Sequence, residues 1–409
     1  MRDAEIRIES IAAGGDGVAR ANGLVVFVPR SAPGDVGRAE LVPRGSFARA
    51  EFSALITPSP DRVEPACAHY TADKCGGCQL QHMSYESQLA AKSRIIADSL
   101  QRIGRRPVSL PRVIASPLEW RYRRKLTLAM RKGPNGWRAG LHPFTDPGTV
   151  FSLADCPITH ERVIEVWRDV LDAGGDLPDA TALRGAVRLA GDGLSCVIEG
   201  GKAWPHSQVF FQRVRSLSAL WWIGEGKPRR LLHRREGTQA PGASFSQVNA
   251  DVASLLRRHV LDVAMAHSPM DAIDAYAGLG ELAVALAERG VRVTAIELDP
   301  EAAAWCGRRL TGQSRVIAGR AELVMAHELP ADVVILNPPR AGVDPDLALA
   351  LQDADLPPRA LIYVSCNPAT LARDLSRMPR YKIASLVAFD MFPQTAHVET
   401  VCELVPEDA

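Results

Sequence analysis

From about residue 244 onward, short apolar runs alternate with helix-like stretches, and each run ends in a polar turn. Ala272-Ile273-Asp274-Ala275-Tyr276 leads into Ala277-Gly278-Leu279-Gly280-Glu281, and the run from Val291 to Ile296 ends in Glu297-Leu298-Asp299. Val333-Val334-Ile335-Leu336 meets Asn337-Pro338-Pro339-Arg340, and Leu361-Ile362-Tyr363-Val364-Ser365 meets Cys366-Asn367-Pro368. Strictly alternating β/α units of this length predict a doubly wound α/β sheet, whose ligands bind at the carboxyl ends of the strands. The pattern therefore brings a glycine turn, an acid, an amide and a thiol to one crevice. Pro368 disfavours the α region for Asn367, so the strand before Cys366 must end in a turn. Thr370 is expected to cap a helix beginning at Leu371.

The glycine turn opens a helix predicted over residues 282–289. Its glycines let backbone approach a ligand, and an acid at the end of the second strand can hold ribose hydroxyls. A lone GxG suits a nicotinamide dinucleotide or an adenosyl cofactor equally. No third glycine follows at the dinucleotide spacing, which favours a single nucleoside without a pyrophosphate.

The other 243 or so residues form a different pattern. Ile6, Ile8 and Ile11, the turn Gly14-Gly15-Asp16-Gly17, the run Leu24 to Val28 before Pro29, and the turn Pro33-Gly34-Asp35 predict a small β-barrel to about residue 58, before the linker Thr57-Pro58-Ser59-Pro60. Cys67-x7-Cys75-x2-Cys78 follows, with glycines at 76 and 77 that let both sulfurs of the pair face one centre. Cys156, in Asp155-Cys156-Pro157, is the best fourth ligand, and zinc or an iron–sulfur cluster would use the same thiolates. Ser84 to Ile103 reads as a helix carrying Leu89, Ile96, Leu100 and Ile103 at helical spacing. Trp120-Arg121-Tyr122-Arg123-Arg124-Lys125-Leu126-Thr127-Leu128 reads as a strand whose charges can pair with phosphates and whose aromatics can stack on bases. Trp221-Trp222 is expected in the core. Pro228-Arg229-Arg230 and His233-Arg234-Arg235 add basic surface.

A net charge of +1 over 409 residues excludes a uniformly basic nucleic-acid binder, so any such surface must be local. The chain has no apolar run near the roughly 20 residues of a membrane span, and Met1-Arg-Asp-Ala-Glu-Ile carries no signal-peptide core. A cytoplasmic protein with its eight cysteines reduced or metal-bound is expected.

Taken in order, these residues resemble the uracil-5 RNA methyltransferases, in the 23S rRNA branch that carries a TRAM domain and a [4Fe-4S] cluster. The most specific stretch is Ser365-Cys366-Asn367-Pro368-Ala369-Thr370-Leu371-Ala372-Arg373-Asp374, followed by Asp390-Met391-Phe392-Pro393-Gln394-Thr395-Ala396-His397-Val398-Glu399. Gly14-Gly15-Asp16-Gly17-Val18-Ala19, Val26-Phe27-Val28-Pro29 and Pro33-Gly34-Asp35 resemble the TRAM domain, an OB-like RNA-binding barrel. The resemblance implies a TRAM barrel over residues 1–58, a central α+β domain with cluster and RNA surface over 59–243, and a Rossmann-like class I methyltransferase domain over 244–409. It implies Cys366 as nucleophile and Glu399 as base, with S-adenosyl-L-methionine held by Gln247, Tyr276, Glu281, Glu297 and Asn337. Cys67, Cys75, Cys78 and Cys156 would hold the cluster, and Arg121, Arg123, Arg124 and Lys125 would meet RNA. A monomer methylating C5 of a uridine in 23S rRNA is the implied activity; methylation of a tRNA uridine is the alternative.

Two positions depart from the family pattern. Asn337 stands where an aspartate is usual, and an amide binds polar edges but cannot take a proton as a carboxylate does. The first gap between cysteines is longer by two residues. Two rival readings differ in class. An amino-N-methyltransferase would share Asn-Pro-Pro, but its next residue is typically aromatic rather than Arg340 and its chemistry needs no Cys366. A non-catalytic iron–sulfur RNA-binding protein would have no use for both Cys366 and Glu399.

Overall fold

The computed structural model describes residues 2–191, 193–236 and 247–407. The expected boundary between 243 and 244, and residues Ser244, Phe245 and Ser246 before Gln247, lie outside them. Three sheets organise the described chain. In the first, the strands run in the order Arg2–Arg7, Val36–Arg44, Phe47–Thr57, Leu24–Val28, Gly17–Ala21, Ser10–Ile11. Alternate residues point inward, so Ile6, Ile8, Ala19, Val26, Val28 and Leu41 share one buried cluster. Gly15, at φ +91°, lies where this sheet meets the rest of the molecule. A Cβ there would stand 2.5 Å from Gln79 Cβ and 3.3 Å from Ala396 Cβ.

The second sheet runs Phe151–Ser152, Gly136–Leu141, Lys125–Gly133, Ala182–Ala190, Gly193–Glu199, Leu217–Ile223, Arg230–Arg234. One face packs on the amphipathic helix Glu161–Asp172 through Val163, Ile164, Trp167 and Val170. Trp221 and Trp222 are both buried, as expected. The expected strand from Trp120 is not formed: pairing begins at Lys125. Arg121 has φ +55°, and the Arg123 and Arg124 amides donate to Ile158 O and Val248 O rather than to a strand partner. The basic run is thus a connector held by two other loops. The helix Tyr85–Arg102 is capped by Ser84, which accepts from the Ser87 amide. Ile96 and Leu100 are buried, whereas Ile103, expected in the apolar stripe, is 47 % exposed beyond the last turn.

The third sheet runs Arg315–Ala318, Arg292–Glu297, Asp271–Ala275, Val333–Leu336, Ala360–Ser365, Glu399–Pro406, Tyr381–Phe389, Arg112–Ile114. Its first five strands are parallel, with helices between them, as the apolar runs predict. Strict alternation stops after the helix Pro368–Ser376. The last two strands pair antiparallel, and Glu399–Pro406 inserts between Ala360–Ser365 and Tyr381–Phe389. This insertion brings the start of Glu399–Pro406 beside the end of Ala360–Ser365. Arg112–Ile114, from within 59–243, extends the sheet parallel to Tyr381–Phe389. Ile96 and Leu100 pack in one core with Leu371, Ala372 and Leu375, so the helix Tyr85–Arg102 also belongs to this unit's packing. Among the described residues, no helix is long and apolar enough to cross a membrane.

Candidate active site

Ser365 pairs with Thr400, and the Thr400 hydroxyl donates to Ser365 O at 2.9 Å. Cys366 and Glu399 are the next residues outward on these antiparallel strands, so the register alone sets them side by side. Asn367 adopts an extended conformation and its Oδ1 accepts from the Ala369 and Thr370 amides at 3.1 and 3.4 Å. Asn367 is therefore the helix cap, and Pro368 occupies the first turn, where its missing N–H costs nothing. Thr370, expected as the cap, instead donates its hydroxyl to Arg340 O at 3.2 Å. That bond ties the Asn337–Arg340 turn to the Cys366 turn.

Cys366 is half-buried. Burial and the neighbouring Glu399 charge push its thiol up, and the Arg340 guanidinium acts in the opposite direction. Glu399 is 4 % exposed, and burial pushes its carboxyl up to about 8, again with Arg340 opposing. The carboxyl acts on the thiol, and the Arg340 guanidinium acts on both. Arg340 also lowers the imidazole of His397, after the larger effect of burial. Arg340 was legible only as a letter in a motif; its influence on Cys366 and Glu399 acts through space and leaves no spacing signal.

The adjoining crevice begins at Tyr276, which follows the strand Asp271–Ala275 at φ +65°. A positive φ at an aromatic residue is strained and is found where function needs the geometry. Gly278 N–H donates to Glu297 Oε2 and Asp299 N–H to Glu297 Oε1, both at 2.7 Å. Glu297 is thereby fixed across the crevice, and its carboxylate retains lone pairs for further donors. Gly280, at φ +75°, passes so close to Cys306 that a Cβ would stand 2.1 Å from its Sγ. Asp274, missed in the sequence, is buried beneath this turn; its Oδ2 accepts from Ala283 N–H at 3.1 Å, and burial pushes the carboxyl up to about 7. Asn337 N–H donates to Ala275 O at 3.3 Å, which places the amide side chain's backbone at the same strand ends. Glu281 is exposed and ion-paired with Arg257. Gln247 is half-buried, one residue before Val248, whose carbonyl accepts from the Arg124 amide at 2.7 Å.

The segment 390–399 that leads to Glu399 is clamped from elsewhere in the chain. Lys92 and Asp390 form an ion pair at 2.5 Å with both side chains fully buried, and Lys92 Nζ also donates to Phe392 O at 3.1 Å. Gln394 and Gln88 exchange two hydrogen bonds at 2.9 Å, and the Tyr122 hydroxyl donates to Pro393 O at 2.9 Å. The Gln79 and Leu80 amides donate to Gln394 O at 3.2 and 3.0 Å, which joins the chain just past Cys78 directly to this segment.

Cys67, Cys75, Cys78 and Cys156 all line one cavity of about 130 Å³, with Arg123 at its wall. Burial pushes the Cys75 thiol up to about 11 and the Cys78 thiol to about 12, and the other cysteines add to both. Among the described residues, no three His, Cys, Asp or Glu side chains converge on a single ion position. The four thiols line the wall of that cavity, a soft donor set of the kind that would hold zinc or an iron–sulfur cluster. Arg121 is committed to this site's frame: it makes a bidentate pair with Asp155 at 2.9 and 2.8 Å and donates to Cys156 O and Thr159 O. Arg30, from the first sheet, reaches the same region, with its guanidinium 3.8 Å from the centre of the Tyr70 ring and 4.6 Å from that of Phe144, and donates to Cys75 O at 3.1 Å.

The family model described as tRNA (uracil-5-)-methyltransferase matches residues 319–405, the stretch that holds Asn337, Arg340, Cys366 and Glu399. An uncharacterized RNA methyltransferase of Halalkalibacterium halodurans is 31 % identical, with 98 % of this chain and 96 % of that protein covered. A second, from Protochlamydia amoebophila, is 32 % identical over 98 % and 97 %. The crystal structure of Pyrococcus abyssi tRNA (uracil-54, C5)-methyltransferase in complex with S-adenosyl-L-homocysteine superposes with a TM-score of 0.70 at 25 % identity, covering 98 % of this chain and 99 % of that one.

Proposed function

The chain belongs to the uracil-5 RNA methyltransferase family, and from that premise we propose that it methylates C5 of a uridine in 23S rRNA through a covalent bond from Cys366 to C6. The observation that carries this reading is the pairing of a half-buried thiol with a buried carboxyl across two antiparallel strand ends. Uracil C5 is a weak nucleophile. Addition of the Cys366 thiolate to C6 forms an S–C6 bond and makes C5 an enolate carbon. S-adenosyl-L-methionine would supply the electrophilic methyl group, its S–CH3 bond breaking as C5–CH3 forms and S-adenosyl-L-homocysteine leaving. Once C5 carries that methyl, Glu399 takes the C5 proton and the S–C6 bond breaks, returning 5-methyluridine and the free thiolate. Arg340 favours the charged forms of both groups. The target base must leave its stack to reach them. Tyr276, Glu297, Asn337 and Gln247 are proposed to hold the adenosyl cofactor, with Glu281 at the turn's outer edge.

The rRNA assignment is supported by the cysteine set and the N-terminal all-β unit, both features of the branch the sequence resembles. Likeness to the Pyrococcus abyssi tRNA enzyme favours a second reading, in which the uridine lies in tRNA. Mass spectrometry of rRNA and tRNA from a strain lacking the gene separates the two: the RNA class that loses a 5-methyluridine is the substrate, and loss from neither contradicts both. Cys67, Cys75, Cys78 and Cys156 are proposed to hold a [4Fe-4S] cluster. The 1–58 unit is read as a TRAM-type RNA-binding barrel, and Arg123, Arg124 and Lys125 as RNA contacts, while Arg121 braces the Cys156 loop.

A further inference from the structure

Facing away from the core, the second sheet carries a basic hollow of about 180 Å³ whose walls include Lys125, Arg184, Arg188, Ser195 and Arg229. Lys125 stands directly across from Arg188 on neighbouring strands, and Arg188 directly across from Ser195. Like charges in directly opposed positions weaken a sheet, and Arg188 is only 6 % exposed. The charges that act most on Lys125 are all positive: after burial, Arg188, Arg184 and Arg123 push its amine down to about 8. Arg188 is held down to about 10 by burial and by Arg229. The lining carboxylate, Glu199, is exposed and sits 3.3 Å from Arg184 on the rim. Four cations and one carboxylate therefore line one hollow, a positive balance that suits an anion.

Two links locate the hollow. Arg229 donates to Asp299 at 3.0 Å and to Glu301 at 3.4 Å, just past Glu297. Arg123 donates from Nε to Lys125 O at 2.9 Å and also walls the cysteine cavity. The hollow therefore lies at the seam between the second sheet and the adenosyl crevice. Its lining has four cations and no aromatic ring, which suits a phosphate rather than a base.

We propose that this hollow is a phosphodiester subsite that seats the backbone of the RNA substrate and fixes its register over the crevice. The inference rests on the RNA methyltransferase reading above and deepens it.

The test measures binding of a uridine-containing RNA against salt, with S-adenosylmethionine affinity as the control for folding. Arg184→Glu, at an exposed rim position, is the main variant and Arg188→Gln the second. Both should weaken RNA binding about tenfold at low salt and reduce the slope of log K against log salt by about 0.7 to 0.9 for each phosphate lost, with cofactor affinity unchanged. In the parent protein, RNA near its own dissociation constant should protect Lys125 from acylation by an activated ester, and inorganic phosphate should do so only at far higher concentration. Protection by phosphate and not by RNA would make this a free-phosphate site and overturn the proposal, as would Arg184→Glu with parental affinity and slope. A parent that methylates RNA while the variants bind normally removes only the subsite; a parent that methylates no RNA removes the functional reading itself.

Discussion

Glu399 is a carboxyl that water would keep ionised at neutral pH, and its buried position holds it protonated up to about 8. A protonated carboxyl cannot accept the C5 proton, and Cys366, also pushed up, cannot add as a thiol. Both reactive forms accumulate as pH rises. kcat/KM, which reports groups of the free enzyme, should therefore climb with pH through about 8, and a profile falling over that range would contradict the assignment. Glu399→Gln should still form the adduct but lose about 10²- to 10⁴-fold in turnover, so that protein–RNA complex accumulates in gels run under denaturing conditions. Both residues are proposed from runs of motif letters in the sequence, and the structure adds that the strand register sets them side by side. The helix cap was misassigned between two residues of capping type; the decisive sign was Pro368, which marks the first helical position and so makes Asn367 the cap. The influence of Arg340 and the burial of Asp274 had no sequence sign, since both depend on which strands become neighbours.

At the level of elements, the site depends on the segment 390–399 keeping Glu399 at the mouth of its strand. The Lys92–Asp390 pair is its deepest anchor. Lys92→Met leaves an uncompensated buried carboxylate and should destabilise the protein by about 3–5 kcal/mol, read from urea unfolding. Adding Asp390→Asn should recover most of that loss, and an unchanged midpoint in the single variant would show the pair is not an anchor. The cysteine loop is joined to the same segment through the Gln79 and Leu80 amides. Cys78→Ser should lower bound iron from about four per chain and remove the brown colour of anaerobic protein; one tightly held zinc in colourless parent protein would overturn the iron assignment. The parallel strands were legible because strands buried on both faces are continuous apolar runs. The final antiparallel insertion was not, since composition points the other way: seven of the nine residues of Tyr381–Phe389 are apolar against four of the eight of Glu399–Pro406, yet Glu399–Pro406 enters the sheet's interior. The basic run before Lys125 carried the composition of a strand, and only the hydrogen bonds of its amides to Ile158 and Val248 show that it is a connector.

Across the whole molecule, three sheets meet around the cysteine loop. Gly15 presses on Gln79 and Ala396, and Arg30 lies over Tyr70 and Phe144. Composition and turn spacing were enough to divide the chain into an all-β start and an α/β end, but contacts between distant segments leave no periodicity, so the docking of the first sheet was invisible. Arg30→Ala should cost about 0.5–2 kcal/mol through the lost cation–π contacts alone, and the unfolding midpoint should fall accordingly. Removing residues 2–57 should weaken RNA binding while S-adenosylmethionine still binds, since Tyr276 and Glu297 lie on the third sheet; equal RNA affinity with and without the segment would place the RNA path elsewhere. The claim on which all of this turns is the covalent bond from Cys366. Its most direct measurement is incubation of the protein with S-adenosylmethionine and RNA in which the target uridine is 5-fluorouridine, whose fluorine cannot leave as a proton does. A complex that survives denaturation, with methylated fluorouracil mapped to Cys366 by mass spectrometry, is the predicted result. Absence of any complex from protein that methylates the unmodified RNA, or an adduct on another residue, would contradict it.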